Sequence, residues 1–124
     1  MKREERLIKQ ILIVEDNQVL HKNLTKSLTG NQFEIKNAWS GKDALAILNA
    51  DRIQMVLLDI GLPDYNGLDL LEEIRKSHPQ IPVIIMTADS SLENERRAKR
   101  LGVAAFFTKP IHLKVLKETI CAFQ

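Results

Sequence analysis

Three acids, a hydroxyl and an amine stand out because each follows a short apolar run. Glu15-Asp16 close the run Ile11-Leu12-Ile13-Val14, Asp59 closes Met55-Val56-Leu57-Leu58, Thr87 closes Val83-Ile84-Ile85-Met86, and Lys109-Pro110 follow Ala104-Ala105-Phe106-Phe107. Singly, each has an ordinary reading: Asp16 or Asn17 caps the next helix, Asp59 satisfies loop amides, Thr87 suits a strand, and a lone lysine is solvated. Their coincidence after four separate runs is the informative feature. If those runs are neighbouring strands, their ends deliver three carboxylates, one hydroxyl and one ammonium to a common crevice. Unit charges 4 Å apart interact by about 1 kcal/mol in water and by about 4 kcal/mol at an effective dielectric of about 20, so the crevice wants a cation. Hard oxygen donors favour Mg²⁺, with Mn²⁺ as a substitute, over zinc, which prefers His or Cys. His21, His78 and His112 are not adjacent to these acids and read as surface or helix-end residues.

A carboxylate beside a divalent cation and an ammonium can attack phosphorus, because the two cations neutralise charge on the equatorial oxygens. The expected product is an acyl phosphate on Asp59. Thr87 would donate a hydrogen bond to one phosphoryl oxygen and Lys109 would pair with another.

The elements that must position these groups are written in the pattern. With Phe33-Glu34-Ile35, the apolar runs number five and recur at nearly even intervals, and three are apolar at successive positions, as strands covered on both faces require. Helical spacing fills the intervals: Val19, Leu20, Leu24 and Leu28; then Ala44, Leu45 and Leu48; then Leu68, Leu71 and Ile74; finally Leu113, Leu116, Ile120 and Phe123. Gly30, Gly102 and His78-Pro79 fall where helices should stop, and Ser90 with Glu93 has the spacing of a capping box. A helix over 91–101 carries a thin stripe of Leu92, Ala98 and Leu101 among charges, so it is expected to dock weakly. Five strands alternating with five helices predict a single α/β domain over 1–124: an open, doubly wound, five-stranded parallel sheet with helices on both faces and a charged extension at 1–8.

At 124 residues the chain is one domain's length, and 18 Lys and Arg against 16 Asp and Glu leave a balance too even to imply binding to nucleic acid or an anionic membrane. No apolar run has transmembrane length and the opening six residues lack a signal-peptide core, so the expectation is a soluble cytoplasmic protein. Cys121 is alone, which excludes an intramolecular disulfide, and reads as a small apolar filler; Trp39 reads as a loop aromatic.

From about Lys9 onward the chain resembles the receiver domain of two-component response regulators. Ile-Leu-Ile-Val-Glu15-Asp16-Asn17 is similar to that family's acidic pair, and Leu57-Leu58-Asp59-Ile60-Gly61-Leu62-Pro63-Asp64-Tyr65-Asn66-Gly67 to its phosphoacceptor segment, with Pro63 and Gly67 shaping the loop. Met86-Thr87-Ala88 resembles its switch hydroxyl, and Phe106-Phe107-Thr108-Lys109-Pro110 its aromatic, lysine and proline. The resemblance implies a flavodoxin-like fold with strand order 2-1-3-4-5 and a cis Lys109-Pro110 bond. It implies Asp59 as acceptor from a phosphohistidine on a sensor histidine kinase or histidine phosphotransfer protein. Mg²⁺ would be held by Asp16, Asp59 and the Gly61 carbonyl, with Glu15 acting through a water. Thr87 and Phe106 would form the switch, reshaping the surface of helix four, strand five and helix five for a downstream effector or an appended output domain. Homodimerisation through helices four and five is left open, as is a DNA-binding, ATPase or kinase part beyond Gln124.

The competing reading is a freestanding Mg²⁺-dependent phosphohydrolase with an aspartyl-phosphate intermediate. That chemistry usually wants a second acid two residues after the nucleophile, where this chain has Gly61. A nucleotide- or flavin-binding module lacks support, since no Gly-rich loop follows Val14. Gly61 is expected to leave the site open, and Asp89, two residues after Thr87, to repel anionic phosphodonors. Asp89→Asn should therefore speed labelling by acetyl phosphate, by about two- to tenfold if one partly screened charge is removed. A rate unchanged in a stopped time course would refute this.

Overall fold

The computed structural model describes residues 9–30 and 33–123, so the expected extension at 1–8 lies outside the described residues. Strands β1 (Lys9–Val14), β2 (Phe33–Ala38), β3 (Met55–Asp59), β4 (Val83–Thr87) and β5 (Ala105–Thr108) alternate with helices α1 (Gln18–Leu28), α2 (Gly41–Ala50), α3 (Gly67–Ser77), α4 (Leu92–Arg100) and α5 (Leu113–Ala122). All pairings are parallel and the order is β2-β1-β3-β4-β5, as the resemblance implied.

Alternation along the strands sorts the core into two layers, because successive side chains leave opposite faces. Leu12, Val14, Val56, Leu58, Val83 and Ile85 pack with Ala44, Leu48, Leu68, Leu71, Ile74 and Ala98 of α2, α3 and α4. Ile11, Ile13, Met55, Leu57, Ile84 and Met86 meet Leu24 and Leu28 of α1 and Leu116 and Ile120 of α5. Both faces of β3 and β4 are sealed, which explains their unbroken apolar runs.

Local signals set the helix ends. Asn17, Ser40, Asn66 and Ser91 each accept an amide of the first turn on their side chains. Gly30 and Gly102 take positive φ of 91° and 74° just past α1 and α4, a conformation that a Cβ would penalise. The expected box on Ser90 and Glu93 is shifted by one residue: Ser91 Oγ accepts from Asn94 at 3.2 Å, and Ser90 stays in the loop.

Several expected core positions are on the surface. Val19 is 71% exposed, because α1 turns His21, Leu24 and Leu28 inward and leaves Val19 on its outer side. Phe123 lies beyond the last turn of α5 and is exposed, and Cys121 faces solvent rather than filling the core. Leu92 is 59% exposed, so Ala98 is the sole fully buried residue of α4, and the expected thin docking is thinner still.

His21 is the clearest departure. It was expected at the surface or a helix end; it is interior to α1 and buried, on the same face as Leu24 and Leu28. Its ring stacks on Trp39 with centroids 4.0 Å apart and planes 23° from parallel. Burial holds the imidazole below its usual pKa, which favours the neutral ring. Trp39 is accordingly a cover for His21, beyond a plain loop aromatic. His78 and His112 do sit at helix ends, as the C-cap of α3 and the N-cap of α5.

Candidate functional site

Strand register assembles the site like a staircase. Val14 pairs with Leu58, so the next step sets Glu15 beside Asp59; Asp59 pairs with Met86, one residue short of Thr87; Thr87 pairs with Thr108, one short of Lys109. The Lys109 amide donates to the Thr87 carbonyl at 2.8 Å, and the Lys109-Pro110 bond is cis. The four chain segments singled out in the sequence thus meet at the carboxyl edge of the sheet, where α/β sheets gather ligands.

Lys109 Nζ lies 3.0 Å from Asp59 Oδ2 and 2.8 Å from Glu15 Oε1. The contact to Asp59 is a directed hydrogen bond; Glu15 Oε1, fully buried, receives no well-aligned donor although the ammonium is close. Glu15 Oε2 accepts from the Asn17 amide at 2.9 Å, and Asp59 Oδ1 accepts from the Gly61 amide at 3.2 Å. Burial, reinforced by the charge on Asp59 and opposed by Lys109, raises the Glu15 carboxyl above its usual range. Burial also opposes the charge on Lys109, but Glu15 and Asp59 outweigh it and hold the ammonium above the usual lysine value.

Asp16 completes the acidic group and is exposed. Carboxylate oxygens of Glu15, Asp16 and Asp59 lie within 4.8 Å of one another. When all three are ionised, one ammonium leaves two negative charges unbalanced. A close set of hard oxygens with one buried oxygen lacking a directed donor fits a hard divalent cation such as Mg²⁺.

An open cleft of about 580 Å³ leads to Asp59, walled by the 59–66 loop, Thr87, Ala88, Asp89 and Lys109. A Cβ on Gly61 would meet nothing within 4 Å, so this wall is open. Thr87 is buried and its Oγ1 accepts the Asp89 amide at 3.0 Å; the Asp89 carboxylate accepts from Ser91 at the start of α4. Phe106 is half-buried against the layer formed by α2, α3 and α4.

Two devices position this loop, and the first had no signal in the sequence. Asp64 lies in the acceptor loop, yet its carboxylate accepts from Gly41 at 2.8 Å and Lys42 at 3.0 Å, at the N-terminus of α2. Those amides hold its carboxyl below the usual range. The partners are 22 and 23 residues distant, so no local spacing could reveal them. Gly67 closes the same loop: its amide donates to the Ile60 carbonyl at 2.6 Å, and a Cβ there would collide with the backbone of Asp59 and Ile60.

Comparison with known proteins decides the family. The response regulator receiver domain model matches residues 11–121. This chain is a response regulator receiver domain. A crystal structure of a CheY-like receiver domain protein from Methanospirillum hungatei JF-1 superposes with a TM-score of 0.89 at 31% identity, covering 94% of this chain and 93% of that one. The transcriptional regulatory protein GlrR of Escherichia coli K12 is 34% identical over 110 residues, 89% of this chain and 25% of that protein. The sensor histidine kinase RcsC of the same organism is 32% identical over 113 residues, 91% of this chain and 12% of that protein. The chain therefore spans a quarter or less of these curated relatives. Receiver domains are generally regulatory rather than metabolic enzymes, and among the described residues no helix is long and apolar enough to cross a membrane.

Two expectations follow from the positioning devices. Gly67→Ala should destabilise the fold by about 1–3 kcal/mol, because backbone rather than a flexible side chain must yield, and should lower the urea midpoint accordingly. The Asp64 carboxyl has a folded pKa below its unfolded one, so its stabilisation is complete above the unfolded value and is lost as pH falls through the folded value. Urea midpoints measured from neutral to acid pH should therefore fall less steeply in Asp64→Asn than in the parent, and parallel curves would refute the latch.

Proposed function

We propose that residues 1–124 form one phosphoacceptor module of a cytoplasmic two-component pathway, in which Asp59 takes a phosphoryl group from a phosphohistidine on a sensor kinase or phosphotransfer protein. The observation that carries this reading is the pairing of buried Asp59 with Lys109, beside two further acids, at the mouth of an open cleft. Asp16, Asp59 and the Gly61 carbonyl would hold Mg²⁺, with Glu15 acting through a water; when bound, the metal supplies positive charge to the phosphoryl oxygens and lowers repulsion among the acids.

In the transfer a carboxylate oxygen of Asp59 forms the new O–P bond while the N–P bond of the donor breaks, and the imidazole leaves with its electron pair and is protonated. Lys109, already within reach of Asp59, exchanges its carboxylate contact for a phosphoryl oxygen. Thr87 turns its hydroxyl proton toward another. Because Thr87 Oγ1 holds the Asp89 amide, that rotation is felt at the entry to α4. Phe106, half-buried beside α4, moves into the space vacated, and the surface of α4, β5 and α5 changes for an effector, an appended output domain or a second copy of the chain. No metabolite turns over. Gly61 occupies the position where a phosphohydrolase of this type would carry its proton donor.

The test is incubation with acetyl phosphate and Mg²⁺ followed by intact-mass measurement and peptide mapping. The parent should gain roughly 80 Da, the mass of one phosphoryl group, on the peptide holding Asp59; Asp59→Asn and chelation by EDTA should each abolish the gain. Label on another side chain, or undiminished label in Asp59→Asn, would overturn the assignment.

A further inference from the structure

Arg75, in the last turn of α3, spends its guanidinium on backbone carbonyls alone. Nε donates to Leu101 at 2.9 Å, Nη2 to Gly102 at 3.0 Å, and Nη1 to His78 at 3.2 Å and Ile81 at 2.7 Å. His78 is the C-cap of α3, and Leu101 the C-cap of α4. Carbonyls at helix C-termini lack intrahelical donors and carry the negative end of the helix dipole, so a cation placed between two such ends satisfies both. Among the described residues no carboxylate pairs with Arg75, and burial pulls its pKa down; the converging carbonyls supply the compensation.

The two ends of α4 are held very differently. At the C-terminal end Arg97 pairs with Asp69 of α3 at 2.6 Å, Ala98 is fully buried, Leu101 packs on the core, and Arg75 grips the two carbonyls that follow. At the N-terminal end Leu92, Glu93, Glu95 and Arg96 are exposed. There the side-chain contacts are local: Ser91 Oγ accepts the Asn94 amide, and the Asn94 side chain donates to the Asp89 carbonyl at 3.4 Å. That end joins the 88–91 loop, whose Asp89 amide rests on Thr87 Oγ1.

We propose that Arg75 is the pivot of α4: its guanidinium pins the helix's C-terminal end to α3, so that a phosphoryl group on Asp59 swings α4 by its N-terminal end. This rests on the phosphoacceptor reading and specifies how the surface change is shaped. Arg75 touches neither Asp59 nor its ligands and is a positioning residue. Its role is to convert loosening of the 88–91 loop into rotation of α4 about a fixed end, in place of detachment of the whole helix.

Amide hydrogen exchange by mass spectrometry, with and without Mg²⁺ and fluoroberyllate as the phosphoryl mimic, tests this in the parent and in Arg75→Lys. The lysine keeps the charge but cannot reach four carbonyls in a planar fork. In the parent, fluoroberyllate should change exchange over 88–96 and leave 99–104 within about twofold. In Arg75→Lys, 99–104 should exchange at least about tenfold faster without the mimic, and the change on adding it should spread across α4. Equal changes at both ends of α4 in the parent would overturn the pivot, as would unaltered protection of 99–104 in Arg75→Lys. Should the variant fail to fold, the parent map alone decides. ¹⁹F NMR of the parent separates the two readings: absence of bound fluoroberyllate refutes the phosphoacceptor assignment, whereas bound mimic with a uniform response refutes the pivot alone.

Discussion

The crowding of like charges at the carboxyl edge of the sheet is the constraint on which the remaining architecture turns. Glu15 and Asp59 are both buried, and Asp16 stands close enough for all three to offer oxygens within 4.8 Å of one another. Left alone, such a set would neutralise by taking up protons or push its strands apart. Lys109 prevents this by lying within 3.0 Å of both buried acids, and it can do so because β5 carries it to the edge of the same sheet. Amides at Asn17 and Gly61 take the remaining oxygens. Burial is the main cause of the raised Glu15 carboxyl, the charge on Asp59 adds to it, and a divalent cation among the three acids would favour their ionised forms.

Holding such a group open requires that the loop bearing Asp59 be fixed from outside it. Asn66 caps α3, Gly67 brings the α3 backbone against that of Asp59 and Ile60, and Asp64 reaches across to the first amides of α2. Tyr65 lies against Gly41, where a Cβ would strike its ring. The second half of the acceptor loop is therefore tied to the helix that follows it and to the helix before β3, and Gly67 closes it back onto Ile60. A carboxylate held this way loses little freedom when it reacts, which is the entropic advantage of a preorganised nucleophile.

What could be read in the sequence follows from the range of each interaction. Strands, helices and most caps are specified by neighbours within a few residues, so β1, β3 and β4 and the gathering of Glu15, Asp16, Asp59, Thr87 and Lys109 were foreseeable once strand adjacency was assumed. The order of strands came from family resemblance, since periodicity does not encode which edges pair. Errors cluster where facing direction mattered. Val19 and His21 are two residues apart on one helix, and hydrophobicity assigns them to the wrong sides. His21 is retained inside because Trp39 covers it, a partner 18 positions away that no helical period connects. Arg75 and Asp64 were invisible for the same reason: their partners are backbone groups, which every residue possesses.

The packing of the helices also decides which of them a phosphoryl group can move. Driving a two-state equilibrium from 1:99 to 99:1 takes about 5.5 kcal/mol of differential interaction, a sum that a few charge-assisted hydrogen bonds can approach. In α3, Leu68, Leu70, Leu71 and Ile74 are essentially inaccessible, and exposing them would cost about 6–12 kcal/mol at 1.5–3 kcal/mol each. That helix is beyond reach. In α4 one alanine methyl is fully buried, worth about 1 kcal/mol, and the exposed ion pair to Asp69 adds at most about as much again. The thin apolar stripe of α4 is thus what makes the helix movable at all, while the carbonyl grip of Arg75 on its far end keeps a weakly buried helix from being lost from the fold.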